Sequence, residues 1–190
     1  MSESPYSSLY RQLKACDCLA DCSEIEFKQL IEGADICHLF LAPNCHRACY
    51  FDAERLIESG FSEECENIVT LLQSFGVSIG GISEFHDDAD NLWTRIDGSD
   101  VLTLLNSEML NLSDNHGRIA EIVAGRIFSH LQARLHEYAP KENLLTHLDW
   151  NNSLLFVFTD EVAKLIRLAA VQDQVLSEMH SVSSLISEVT

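Results

Sequence analysis

Three groups of side chains in this chain have types and spacings that could do chemistry. The first is a run of soft donors, Cys16, Cys18, Cys22, Cys37, His38, Cys45, His46 and Cys49. Structural zinc is held by two close pairs of such residues separated by a knuckle of chain. Here Cys18 and Cys22, and again Cys45 and Cys49, stand four positions apart. That is also the spacing of one helix face, so the pattern fits a metal- or thiol-responsive site poorly and a set of small core residues more simply. The second group is Glu84, His86, Asp87, Asp88 and Asp90 in SEFHDDAD. It could ligate a hard cation or move protons, but it lacks the regular oxygen spacing of a calcium loop, and a solvated acidic loop is the plainer account.

The third group is Asn115-His116-Gly117-Arg118, at the mouth of the most apolar helical segment. An Arg beside a Gly at a helix entrance sets a cationic fork next to open backbone, a place to receive a partner's carboxylate. The same residues also describe an ordinary helix N-terminus with a solvent-facing Arg. No G-x-S-x-G elbow, P-loop, dinucleotide fingerprint or inward Glu-x-x-His pair occurs. A binding protein is therefore expected rather than an enzyme, with no cofactor.

The elements that must position these groups read as helical almost throughout. Leu9, Leu13 and Cys16 form a stripe, Ser23 and Glu26 make a capping box, and Pro43 stops the run from Ile36 to Ala42. Asp52 caps a short helix bearing Leu56 and Ile57 that ends near Gly60. Ser62 opens the next, with Cys65, Ile68, Val69, Leu72 and Phe75 on one face and Gly76 closing it. Val77–Ile82 is the likeliest joint to be non-helical, and a short strand stays open there. A polar loop over Glu84–Asn91 leads to Leu92, Trp93 and Ile96, then to a helix from about Ser99 through Leu104, Leu105 and Met109.

A helix starting at Ser113 or Asp114 and running to Tyr138 is apolar on most of its circumference and must be buried by neighbours. Leu154–Phe158 alone fits a strand, but its continuation into EVAKLIRLAA favours a helix, and Val175–Ile186 reads as the last one. The expectation is a single all-α domain over residues 1–190, with seven to eight amphipathic helices around a buried central helix or hairpin.

With 46% apolar residues, 190 residues suffice for one good core. Thirty acidic residues against 12 basic ones give a net charge of −18, which repels nucleic-acid phosphates and anionic membrane surfaces and leaves basic or amphipathic protein partners. Acidity kept for solubility gives the same number. The polar start MSESPYSSLY is unlike a signal peptide, and Glu178, His180 and Glu188 interrupt the C-terminal stretch. A cytoplasmic protein with reduced thiols and no transmembrane anchor is expected.

The segment EMLNLSDNHGRI resembles the first homology region of the Bcl-2 family of apoptosis regulators. Glu108, Met109, Leu110, Asn115, Gly117, Arg118 and Ile119 fall in that pattern's register, with His116 where the family usually has Trp. A weaker likeness to the third homology region runs from Leu56 through Gly60 to Glu64, with Phe61 in place of the Asp. The second homology region is not found beyond Pro140, where Asp149-Trp150-Asn151-Asn152 is at most a remnant.

The resemblance implies helices around a buried hairpin and a pro-survival factor that takes the amphipathic death-motif helix of a pro-apoptotic protein into a surface groove. It implies that Arg118 pairs with the ligand's Asp, that Asn115 adds a hydrogen bond beside His116, and that Gly117 allows close approach. Leu72, Phe75, Leu104 and Leu105 would hold the ligand's apolar anchors. The absent Asp at Phe61 points to a groove-bearing member, and a homodimer is compatible with the pattern. The alternatives are a metal- or thiol-responsive protein using the N-terminal Cys/His cluster, or an acidic protein-binding adaptor.

Overall fold

The computed structural model describes residues 5–19, 22–33, 37–41, 45–149, 152–169 and 180–181. Local sequence signals place the first helices. In α1 (Pro5–Ala15) Leu13 is buried and Leu9 partly so, and α2 (Glu24–Gly33) opens on the Ser23–Glu26 box. There the Ser23 N–H donates to Glu26 Oε2 at 2.8 Å and the Glu26 N–H to Ser23 Oγ at 3.3 Å. A short α3 (Cys37–Leu41) and the strand β1 (Ala48–Phe51) follow. Asp52 accepts the N–H groups of Glu54 and Arg55, each at 3.0 Å, to start α4 (Ala53–Glu58). Then come α5 (Phe61–Glu64) and α6 (Glu66–Gln73), with Gly76 beyond at φ +85°.

From here the chain departs from the all-α expectation. Ile82–His86, Leu92–Ile96 and Ser99–Leu104 form β2, β3 and β4, an antiparallel meander. The turn joining β3 to β4 is Asp97-Gly98, with φ of 51° and 83°, the left-handed pair that a two-residue hairpin requires. Asp97 also accepts from the N–H groups of Gly80 and Gly81 at 2.8 and 3.0 Å and meets Arg134 at 3.2 Å, which ties down the Val77–Ile82 joint. The helix expected over Ser99–Met109 is thus a strand followed by the short α7 (Asn106–Asn111).

The buried helix is present as α8 (His116–Tyr138), with Ile119, Ile122, Val123, Ile127, Phe128, Leu131 and Leu135 inside. After it come β5 (Glu142–His147), β6 (Ser153–Thr159), α9 (Asp160–Ala169) and the two-residue β7 (His180–Ser181). Leu154–Phe158, read as helical, is therefore the body of β6, and the helix begins only at Asp160. Most of Val175–Ile186 lies outside the described residues, but His180 and Ser181 within it are strand.

The second sheet has the order β1-β6-β5-β7, all neighbours antiparallel. β6 explains why a strand looked like a helix. Leu155 and Val157 enter the core around α8, while Leu154, Phe156 and Phe158 enter a second core on the other face, against α1, α2, α3 and α9. A strand covered on both sides shows no polar alternation, so it reads as a continuous apolar run. The first core lies between this sheet, α4, α6, α8 and the meander, with Phe51 and Phe128 meeting edge-on at 5.2 Å. The molecule is mixed α and β, and the all-helical fold implied by the Bcl-2 resemblance is not its fold. No helix among the described residues is long and apolar enough to cross a membrane.

Candidate functional site

The Asn-His-Gly-Arg segment is built as a helix start. Asn115 is the N-cap of α8, its Oδ1 accepting the Arg118 N–H at 3.1 Å. The Arg118 guanidinium is bound by Glu121 one turn along the same helix, leaving its side chain only 19% exposed. A side chain at Gly117 would meet nothing nearer than Asn115 Oδ1 at 3.8 Å, so no close packing requires glycine there. His116 is exposed. Glu108 forms a two-pronged pair with Arg126 at 2.7 and 2.8 Å and accepts the Leu105 N–H at 2.9 Å. The charged groups of this segment therefore hold α7 and α8 in place.

The expected apolar anchors separate. Leu72 is fully buried in the core around α8, and Phe75 packs under the Arg47 guanidinium, whose carbon lies 5.2 Å from the ring centre. Leu104 and Leu105 lie elsewhere, in the wall of a cleft of about 370 Å³ that none of Leu72, Phe75 and residues 115–118 lines. Three stretches distant in sequence meet there. The end of α4 and the residues after it give Ile57, Glu58, Ser59 and Gly60; β2 and its hairpin give Glu84, His86, Asp90 and Leu92; the β4–α7 junction gives Leu104, Leu105, Asn106 and Met109.

Polar bracing keeps this cleft in shape. Gly60 has φ +86°, a conformation that strains any residue with a side chain, and a Cβ there would stand 3.0 Å from the Glu84 carboxyl carbon and push that carboxylate aside. Glu84 is held by the Ser62 N–H at 2.8 Å and by the Ser62 hydroxyl. Asp87 gathers the Trp93 indole N–H at 2.9 Å, the Asn91 amide at 3.1 Å and two backbone N–H groups, and these bonds, Trp93 foremost, hold its carboxyl down at about 2. Asn91 Oδ1 in turn accepts the Asn106 N–H at 3.0 Å, so the hairpin carries α7. The acidic loop is thus a brace, and the sole partner of His86 among the described residues is Asp90, at 3.3 Å.

Buried Leu104 and half-buried Ile57, Leu92 and Leu105 make an apolar floor with exposed Met109 beside it, and the exposed Glu58 and Asp90 make an acidic rim, while Glu84 is half-buried and bound by Ser62. Met109 is 41% exposed, and on the same α7 Leu110 is 68% exposed. Such a site can bury an apolar group and attract a cation.

Linear spacing could not reveal Ile57, Glu58, Glu84, His86, Asp90, Leu92, Asn106 and Met109 as one site, because the meander assembles them. The Asp97-Gly98 dipeptide between apolar runs was the available signal. The N-terminal donors are split as well: Cys49 is in the core around α8, while Cys16, Cys18, Cys22 and Cys45 belong to the other core. The side chains of Cys37 and His38 lie outside the described residues. Among the described residues no group of three or more His, Cys, Asp or Glu is disposed to hold a metal ion. Compared with protein-family models, curated proteins and solved structures the chain finds no match, and nothing in these comparisons ties it to the Bcl-2 family or to apoptosis.

Proposed function

We propose that this chain is a protein-binding module whose cleft takes an apolar side chain from a segment of a partner that also carries Lys or Arg. The observation that carries the reading is the pairing of an open apolar floor with an acidic rim on a molecule of net charge −18. Water leaves Leu92, Leu105 and Met109 when an apolar side chain enters, which supplies the affinity. The rim and the global charge favour a cationic approach, select against acidic segments and speed encounter.

The cleft volume sits near the lower end for small-ligand sites, which suits one or two anchor side chains rather than the full face of a long helix. Arg118 is already engaged by Glu121, so a ligand carboxylate would have to displace that pair. The part of the sequence expectation kept here is the acidic protein-binding adaptor, with Leu104 and Leu105 in its site.

The test uses two synthetic amphipathic peptides of equal hydrophobicity, one of Leu and Lys and one of Leu and Glu, titrated by calorimetry. The Leu/Lys peptide is expected to bind, more weakly as salt rises, and to bind less tightly to Met109→Gln. Equal affinity for both peptides, or no binding of either, overturns the reading.

A further inference from the structure

Cys18 and Cys45 are 27 residues apart in sequence and adjacent in space. Cys18 lies in the turn after α1, its N–H bound to the Leu13 carbonyl at 3.0 Å, and is 1% exposed. Cys45 lies just before β1 and is half-buried. The Cys45 thiol donates to the Cys18 carbonyl oxygen at 3.1 Å, which sets the two cysteines side by side. Arg47 adds a positive charge nearby; its guanidinium is fixed by Glu142 at 2.9 Å, and its backbone is bound to Phe40 and Val157.

We propose that Cys18 and Cys45 form a peroxide-reactive dithiol, in which Cys18 is the sulfur oxidised and Cys45 resolves it to a disulfide joining the α1 turn to the approach of β1. In the first step the Cys18 thiolate attacks one oxygen of hydrogen peroxide, the O–O bond breaks, and Cys18 sulfenic acid and hydroxide result. In the second step the Cys45 sulfur attacks the Cys18 sulfur, the S–O bond breaks, and water leaves with the Cys45 proton. Two electrons pass from the sulfurs to the peroxide, and nothing else is consumed.

The environment supports this division of labour. The neighbouring Cys45 thiol lowers the Cys18 thiol below its ordinary value, outweighing the burial that raises it, while the lowering by Arg47 is opposed by its partner Glu142. The same proximity, with burial, raises Cys45, which makes it the proton carrier of the pair. Other thiols differ: burial is the first cause raising Cys16, Cys22 and Cys65, and it pushes Cys49 up to about 12. Peroxide is near water in size, so it can reach past the half-buried Cys45 to a sulfur that a protein disulfide could not touch. The dithiol belongs to the core opposite α8, so it is independent of the cleft and of the function assigned to it.

The experiment treats the fully reduced, unsubstituted protein with hydrogen peroxide and maps its cysteines by mass spectrometry. The expected result is a mass loss of about 2 Da, a Cys18–Cys45 crosslink and its reversal by dithiothreitol. In Cys45→Ser the sulfenic acid should persist on Cys18 and be trapped by dimedone, while Cys22→Ser should still form the crosslink. Crosslinks joining other cysteines, or Cys18 staying alkylatable at peroxide levels that oxidise the remaining thiols, overturn the proposal. The mapping on the unsubstituted chain decides the matter even if a variant fails to fold.

Discussion

The start of α8 and the cleft beside α7 are joined by a few residues of chain, yet they handle polar and apolar groups in opposite ways. At the helix start Asn115 closes on the Arg118 N–H, Arg118 on Glu121, and Glu108 on Arg126, so each group is matched within the fold. In the cleft Leu105 and Met109 keep accessible surface and Glu58 stands at the rim. Matched groups stabilise; unmatched surface is what a partner can use. A motif that looks functional in one dimension can therefore be structural, while the open surface next to it is assembled from residues that no motif contains.

This contrast can be broken most forcefully at the Glu108–Arg126 pair, whose side chains are only 16% and 21% exposed. Arg126→Ala should cost about 1.5–3 kcal/mol in denaturant unfolding, because Glu108 loses its charged partner. It should also loosen α7 and weaken cleft binding. Burial alone would raise the Glu108 carboxyl, but the Arg126 fork and the Leu105 N–H outweigh it, and the net shift is downward. A lowered folded value means that this contribution is fully present above the ordinary glutamate range and is lost as pH falls through the folded value. Unfolding measured across acid pH should therefore show a stability loss that Arg126→Ala flattens.

A change confined to the cleft should invert that profile. Met109→Gln should leave stability within about 0.5 kcal/mol, since the side chain is already 41% exposed, yet weaken the Leu/Lys peptide by about tenfold. Asn115→Ala, read by thermal unfolding, should cost about 1 kcal/mol through the lost cap and leave peptide affinity unchanged. The smallest effect belongs to Arg118→Ala. It removes one pair within a helix, worth about 0.2–0.5 kcal/mol, and should not change peptide binding in the same titration.

How far the fold was legible follows from where each signal resides. The Ser23–Glu26 box, the Asp52 cap and the buried α8 are local features, and each is present. The strands were not readable from apolar period alone: β6 is covered on both faces, and β4 runs into α7 without a break in apolar spacing. On β3 and β4 the polar Thr94 and Thr103 can face inward because their hydroxyls satisfy each other at 2.7 Å, and this hides the period-two pattern. In the candidate site, the sequence places Leu104 and Leu105 as anchors on a helix, and they lie instead at a strand end, where a glycine turn and an acidic hairpin complete the wall.

The most direct test of the central claim is methyl-resolved NMR of the isotope-labelled protein during titration with the Leu/Lys peptide. The cleft account predicts concerted shifts at Ile57, Leu92, Leu104, Leu105 and Met109, with Ile119 at the start of α8 unmoved. Shifts centred on the start of α8, and absent from the cleft methyls, would contradict it.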